Sequence, residues 1–155
     1  MSMSNAASDE VTALILELFR LNGRLLAAGD RLVADLGLTS ARWQVLGAIA
    51  LSVTPEPVAR LARNMGLQRQ GVQRIVNELV DEGFVALKEN THHRRAKLVV
   101  LTDKGSKTYA AATRRQRPWA ETLSKGLKAK DLISTRRLLA ELRLRLEEER
   151  EIILI

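Results

Sequence analysis

Arg69, Gln70, Gln73, Arg74 and Asn77 lie three and four residues apart, the spacing that gathers side chains on one face of a helix. Each of them donates hydrogen bonds, and arginine and glutamine can pair bidentately with guanine and adenine edges in a DNA major groove. Val72, Ile75, Val76, Leu79 and Val80 fall on the opposite, inward face. A polar outer face is ordinary for any helix, so the distribution of charge has to decide. Residues 57–77 hold Arg60, Arg63, Arg69 and Arg74 and no acid; Glu78, Asp81 and Glu82 follow only at the far end of the helix. A second acid-free stretch, residues 91–102, holds His92, His93, Arg94, Arg95 and Lys97. Two such stretches flanking one short apolar helix describe a surface shaped for phosphates.

Other chemistries find little support. The chain has no cysteine, which excludes disulfides, thiolate metal sites and a cysteine redox switch. His92 and His93 are adjacent on a predicted loop with few acids nearby, and neighbouring loop residues seldom chelate one ion, so neither a metal nor a cofactor is expected. No glycine loop for cradling phosphate and no histidine beside a nucleophile is visible, so the chain does not read as an enzyme.

The elements that must position these residues follow from periodicity and punctuation. Residues 8–35 carry Val11, Leu14, Ile15, Leu18, Leu21, Leu25 and Leu32 as one apolar stripe, with Ser8 as the expected cap and Gly37 as the stop. Thr39 or Ser40 caps a second helix that buries Trp43, Val45, Leu46 and Ile49. Pro55 and Pro57 break the chain before a short helix, residues 58–64, that buries Val58, Leu61 and Ala62 and ends at Gly66. A helix over residues 68–82 follows after a tight turn, which together read as a helix-turn-helix. Residues 84–88 and 97–101 are β-prone and are predicted to form a hairpin with a basic tip at His92, His93, Arg94 and Arg95, suited to a minor groove or flanking phosphates. Thr102 and Asp103 cap a basic helix from Lys104, which Pro118 should kink or divide. A last helix, residues 131–153, has Leu132, Leu139, Leu146 and Ile153 seven apart, with Leu138 and Leu142 beside them.

The whole chain agrees with one folded domain: 155 residues, 46% hydrophobic and 28% charged. Its net charge of +7 favours a polyanionic partner. No apolar run approaches the roughly 20 residues a spanning helix needs, and the first ten residues lack a secretory pattern. The expected setting is therefore cytoplasmic, without a membrane partner. The expected fold class is mainly α with a small β-hairpin wing. The terminal stripes, with Val11, Ile15 and Leu18 at one end and Leu132, Leu139, Leu142, Leu146 and Ile153 at the other, are too apolar for one small lobe to cover, which points to a homodimer.

This order of elements resembles the multiple-antibiotic-resistance regulator (MarR) family. The resemblance is carried by LARNMGLQRQGVQRIVNELVDEGFV, residues 61–85, and HHRRAKLVVLTDKG, residues 92–105. The second segment is similar to the family's wing signature, an acid-arginine-arginine group followed by an LTxxG element. It implies a winged helix-turn-helix lobe over residues 39–103, flanked by dimerisation helices over residues 8–36 and 104–155. It also implies a cleft for a small aromatic or anionic ligand, for which Phe19, Trp43, Tyr109 and Arg114 are the candidates. Two positions depart from the family pattern. His93 stands where an acid usually holds a wing arginine, and Gln68 stands where Ser or Thr often caps the recognition helix.

The resulting candidate set for contact with double-stranded DNA is Arg42, Gln68, Arg69, Gln70, Gln73, Arg74, Asn77, His93, Arg94, Arg95 and Lys97. The expected function is a sequence-specific, dimeric transcription regulator, a repressor of a near-palindromic operator that a small ligand releases. The alternative is an architectural nucleic-acid binder, which would share the charge but show no preference among sequences.

Overall fold

The computed structural model describes residues 3–153, and the side chains of residues 6–149. The chain forms two compact units that meet in sequence between Arg117 and Pro118. In the first, α1 (Met3–Val33) and a 3-10 turn (Ala34–Leu36) lead into α2 (Ser40–Leu51). There follow β1 (Glu56–Pro57), α3 (Val58–Met65), α4 (Arg69–Asp81), β2 (Val85–Lys88) and β3 (Leu98–Leu101). Helix α5 (Asp103–Leu123) begins in the first unit, and α6 (Ala129–Ile153) belongs to the second.

The core of the first unit is aliphatic. Val33, Leu38, Val45, Leu46, Leu61, Val72, Val76, Leu79, Phe84 and Val99 are all buried, and Trp43, Tyr109 and Leu101 pack against them. The inward faces of α3 and α4 are those read from periodicity: Val58, Leu61 and Ala62 on one, Val72, Ile75, Val76 and Leu79 on the other, with Val80 half-buried. Each fully buried valine, leucine or isoleucine among them contributes about 1.5–3 kcal/mol by leaving water.

Thr39 is the cap of α2: its side chain accepts from the Arg42 amide at 3.2 Å. Ser40 does something else. Buried between helices, it donates from its amide to Asp30 Oδ1 at 2.7 Å and from Oγ to the Leu26 carbonyl at 2.6 Å, tying α2 to α1. At the other end of the lobe the Leu101-Thr102-Asp103-Lys104-Gly105 segment locks β3 and α5 to the end of α4. Thr102 Oγ1 donates to the Gly83 carbonyl at 2.6 Å and accepts from the Gly105 amide at 3.1 Å. Gly105 comes so close to the Phe84 carbonyl that a Cβ would collide with it, which is why this position admits no side chain.

Three expectations need correction. Helix α1 begins at Met3, not at a Ser8 cap; Ser8 lies within the helix, its carbonyl accepting from Thr12 Oγ1 at 3.1 Å. Ala6 and Ala7 are strong helix formers, and they carry the helix past a residue that would cap it only if the preceding chain turned away. The sheet has three strands rather than two, in the order β1-β3-β2 and antiparallel throughout. The added edge strand pairs Glu56 with Val99 and Pro57 with Leu98, while β2 pairs Val85 with Leu101 and Lys88 with Leu98. Proline is tolerated there because an edge strand has one side on which no amide is required. Finally, of the two outcomes expected at Pro118, division of the helix does not occur: α5 runs through it without ending. The boundary between the two units falls there, but a single proline removes one backbone bond, at about 3 kcal/mol, and the remaining turns of the helix outlast it.

No helix among the described residues is long and apolar enough to cross a membrane.

Candidate nucleic-acid interface

The turn between α3 and α4 is made by Gly66, whose φ of 66° lies in the left-handed region that side chains disfavour. Its amide donates to Arg63 O at 3.1 Å, and the Leu67 amide donates to Ala62 O at 2.9 Å, closing α3 within one residue. Gln68 then takes the capping position of α4 with an extended backbone and no side-chain capping bond. Its amide group is therefore exposed and uncommitted, at the entrance to the helix.

On α4, Arg69, Gln70, Arg74 and Asn77 are exposed and Gln73 is half-buried, so the polar face expected from spacing forms as one surface. Gln73 Nε2 donates to Asn77 Oδ1 at 2.9 Å, which orients both amides along the helix. The wing meets this face at its base. Arg95, Ala96 and Lys97 share a hollow of about 210 Å³ with Arg69 and Gln73 of α4 and with Pro57, Val58 and Ala59 at the start of α3. That volume is below the roughly 300–1,000 Å³ of small-molecule pockets. Three cations line it, and no carboxylate does.

The tip of the wing is organised by a residue that the sequence reading passed over. Asn90 is buried; its Oδ1 accepts from the amides of His92 and His93 at 3.1 and 3.4 Å, and its Nδ2 donates to the Ala96 carbonyl at 2.9 Å. His93 and Arg94 are exposed on this turn. The turn thus keeps its shape with His93 where the family pattern has an acid, because the holding bonds come from Asn90. An asparagine opening a polar loop is the one signal that pointed to this, since its side chain mimics a backbone turn.

Arg42 is placed differently from the rest of the candidate set. Its guanidinium reaches Glu78 Oε2 at 3.2 Å, Glu82 Oε1 at 2.8 Å and the Gly37 carbonyl at 3.3 Å, and only 19% of its side chain is exposed. It clamps α2 to the C-terminal half of α4 rather than standing free for phosphate. Lys104 reinforces the same end: its ammonium donates to Glu82 O at 2.6 Å and sits 4.4 Å from the centre of the Phe84 ring.

The four residues proposed for a ligand cleft occupy different surroundings. Trp43 and Tyr109 pack against the core, with Tyr109 crossing α2 at Gly47, where a methyl would stand 3.4 Å from the ring. Phe19, 70% exposed on α1, and Arg114, exposed on α5, line neither the hollow at the wing nor the open furrow that runs along α4 from Arg69 to Asp81. Close to Arg114 in sequence, Arg115 does have a partner. It donates through both guanidinium nitrogens to the Asp35 carboxylate, at 2.8 Å from Nη2, and to the Leu32 carbonyl at 3.3 Å. That hydrogen bonding holds the Asp35 carboxyl below its ordinary range, against a smaller opposing effect of desolvation.

Residues 36–96, the span from the end of the 3-10 turn to the wing, match the model of the MarR family. An uncharacterised protein of Mycobacterium tuberculosis is 41% identical over 108 residues, 70% of this chain and 74% of that protein. The chain belongs to the MarR family. As a MarR family transcription regulator with a winged-helix fold, it superposes on a Streptomyces coelicolor regulator of the same family with a TM-score of 0.75 and 26% identity, covering 90% of this chain and 96% of that one. CouR from Rhodococcus jostii, solved with p-coumaroyl-CoA bound, shares the fold at 24% identity and a TM-score of 0.74, over 87% of this chain and 92% of that one. In the MarR fold of this chain, α3 and α4 are the helix-turn-helix and the β2–β3 hairpin is the wing.

Proposed function

We propose that this regulator works as a homodimeric repressor that reads a near-palindromic operator in double-stranded DNA. In this reading α4 enters the major groove, where Arg69, Gln70, Gln73 and Arg74 face base edges and Gln68 and Asn77 flank them. Arg95 and Lys97 hold the phosphates beside the groove, and His93 and Arg94 at the wing tip extend toward the neighbouring minor groove. The observation that carries the reading is the meeting of two sequence-distant, acid-free stretches in one cationic hollow: Arg69 from α4 with Arg95 and Lys97 from the wing.

The dimer follows from the apolar residues that the chain leaves in water. On α1, Val11 and Ile15 are exposed and Leu18 is half-buried; on α6, Leu132 and Leu146 are exposed and Leu139 and Leu142 are half-buried. The side chain of Ile153, expected on the same stripe, lies outside the described residues. A second copy covering residues 8–36 and 104–155 would remove these surfaces from water and set two α4 helices about 34–36 Å apart, one turn of DNA. Control by a small aromatic or anionic ligand needs only a differential affinity of about 1–3 kcal/mol between two dimer shapes.

The test is selection of bound duplexes from a random pool, with competitor DNA and near physiological salt. A recovered near-palindrome supports the reading. Tight recovery without sequence preference would replace it with an architectural binder, and absence of DNA binding would reject both.

A further inference from the structure

Glu78 stands between two arginines and divides its oxygens between them. Oε1 accepts from Arg74 Nη1 at 2.8 Å, one turn back on α4. Oε2 accepts from Arg42 Nε and Nη2 at 3.3 and 3.2 Å, across from α2. Arg42 is fixed in its turn by Glu82 and by the Gly37 carbonyl. The result is a chain of contacts that begins at the end of the 3-10 turn, passes through the α2–α4 interface and ends at a guanidinium that is 73% exposed on the reading face of α4.

An exposed ion pair four residues apart on a helix is usually weak, because two long side chains must both give up their freedom to make it. Glu78 departs from that pattern: its side chain is 35% exposed and already immobilised by Arg42, so only Arg74 has to be ordered. With Nη1 engaged, Arg74 keeps Nε and Nη2 as donors in a fixed plane, the geometry a base edge requires. The same carboxylate opposes a loose electrostatic grip, since it places negative charge beside the surface that would otherwise collect any phosphate. Features that reject the wrong partner contribute to specificity as much as those that attract the right one.

We propose that Glu78 is a positioning residue: by holding Arg74 against the Arg42 clamp it sets the base preference of α4 and suppresses indiscriminate DNA binding. This rests on the assignment of α4 as the DNA-reading helix. Arg42, read from sequence as a DNA contact, thereby acts on recognition from behind the helix.

The experiment compares Glu78→Gln with Glu82→Gln, each of which removes one carboxylate from Arg42 while only the first also touches Arg74. Affinity of the full-length protein is measured for the duplex recovered by selection and for a scrambled duplex of equal length, with urea midpoints recorded alongside. Glu78→Gln is expected to lower the ratio of the two affinities about tenfold, within what one bidentate base contact contributes, without weakening binding to the scrambled duplex. Glu82→Gln should leave the ratio within about twofold. In an Arg74→Ala background, Glu78→Gln should change the ratio no further. An unchanged ratio in Glu78→Gln, or an equal fall in both variants, would overturn the proposal. A wild-type protein that shows no sequence preference would remove the DNA-reading assignment, and the proposal with it.

Discussion

The helix-turn-helix region and the C-terminal helix of this chain treat the same residue type in opposite ways. In α2, α3 and α4 most leucines and valines face inward: Leu46, Leu61, Leu79, Val45, Val72 and Val76 are almost completely buried, and Leu51, at the very end of α2, is the exposed exception. In α6 leucines are more frequent still, yet Leu132, Leu138, Leu144 and Leu146 are exposed, Leu146 by 62%. The first region closes on itself. The second, taken by itself, does not, and apolar surface of that extent on a folded protein marks a surface that associates. The first region spends its apolar residues inside the chain; α6 leaves its own for the second copy proposed above.

That contrast can be broken by substitution. The largest effect is expected from Leu61→Ala, which empties a fully enclosed site between α3 and the core and should cost about 2–5 kcal/mol in urea unfolding. The loss should be the same at every protein concentration. Leu146→Ala should behave differently. If α6 is buried only against a second copy, the cost is about 1.5–3 kcal/mol per fully covered leucine and appears in the dimer dissociation constant. Sedimentation at falling concentration would read it, and a dissociation constant unaffected by the substitution would place Leu146 outside the interface.

The smallest effect concerns Asp35 and Arg115, which join the end of the 3-10 turn to α5. Arg115 lowers the Asp35 pKa in the folded chain, so the pair stabilises fully above the unfolded carboxylate value, about 3.9, and loses its contribution as pH falls through the folded value. Asp35→Asn should therefore be less stable than wild type near neutrality, and the two should converge in acid. Because Asp35 is largely exposed, the difference will be small. A gap that persisted unchanged at the lowest pH would mean that the substitution acts through something other than the ion pair.

How far the sequence could be read depended on the kind of signal. Val58, Leu61 and Ala62, and Val72 through Leu79, were legible because helical periodicity is repeated over several turns and only one face can be inward. The two-residue strand Glu56–Pro57 was not, since two residues show no period and the prolines around it read only as a break. Asn90 and Ser40 were misjudged or missed because their roles lie in tertiary hydrogen bonds: a polar residue type does not reveal whether it will be buried with its partners. Arg42 is the clearest case. It stands among the candidate DNA contacts, but the fold brings Glu78 and Glu82 to its guanidinium from a stretch of chain far away in sequence, and no local pattern reveals such partners. For Trp43 and Tyr109 the packing against the core is likewise a tertiary fact that residue type alone does not reveal.

Dimeric recognition is tested most directly by the mass of the complex formed when purified protein is titrated with a selected duplex. A dimeric operator reader places two chains on each duplex, bound together, with half-sites whose centres lie about 10–10.5 base pairs apart. One chain per duplex at saturation, or binding that scales with duplex length whatever its sequence, would contradict it.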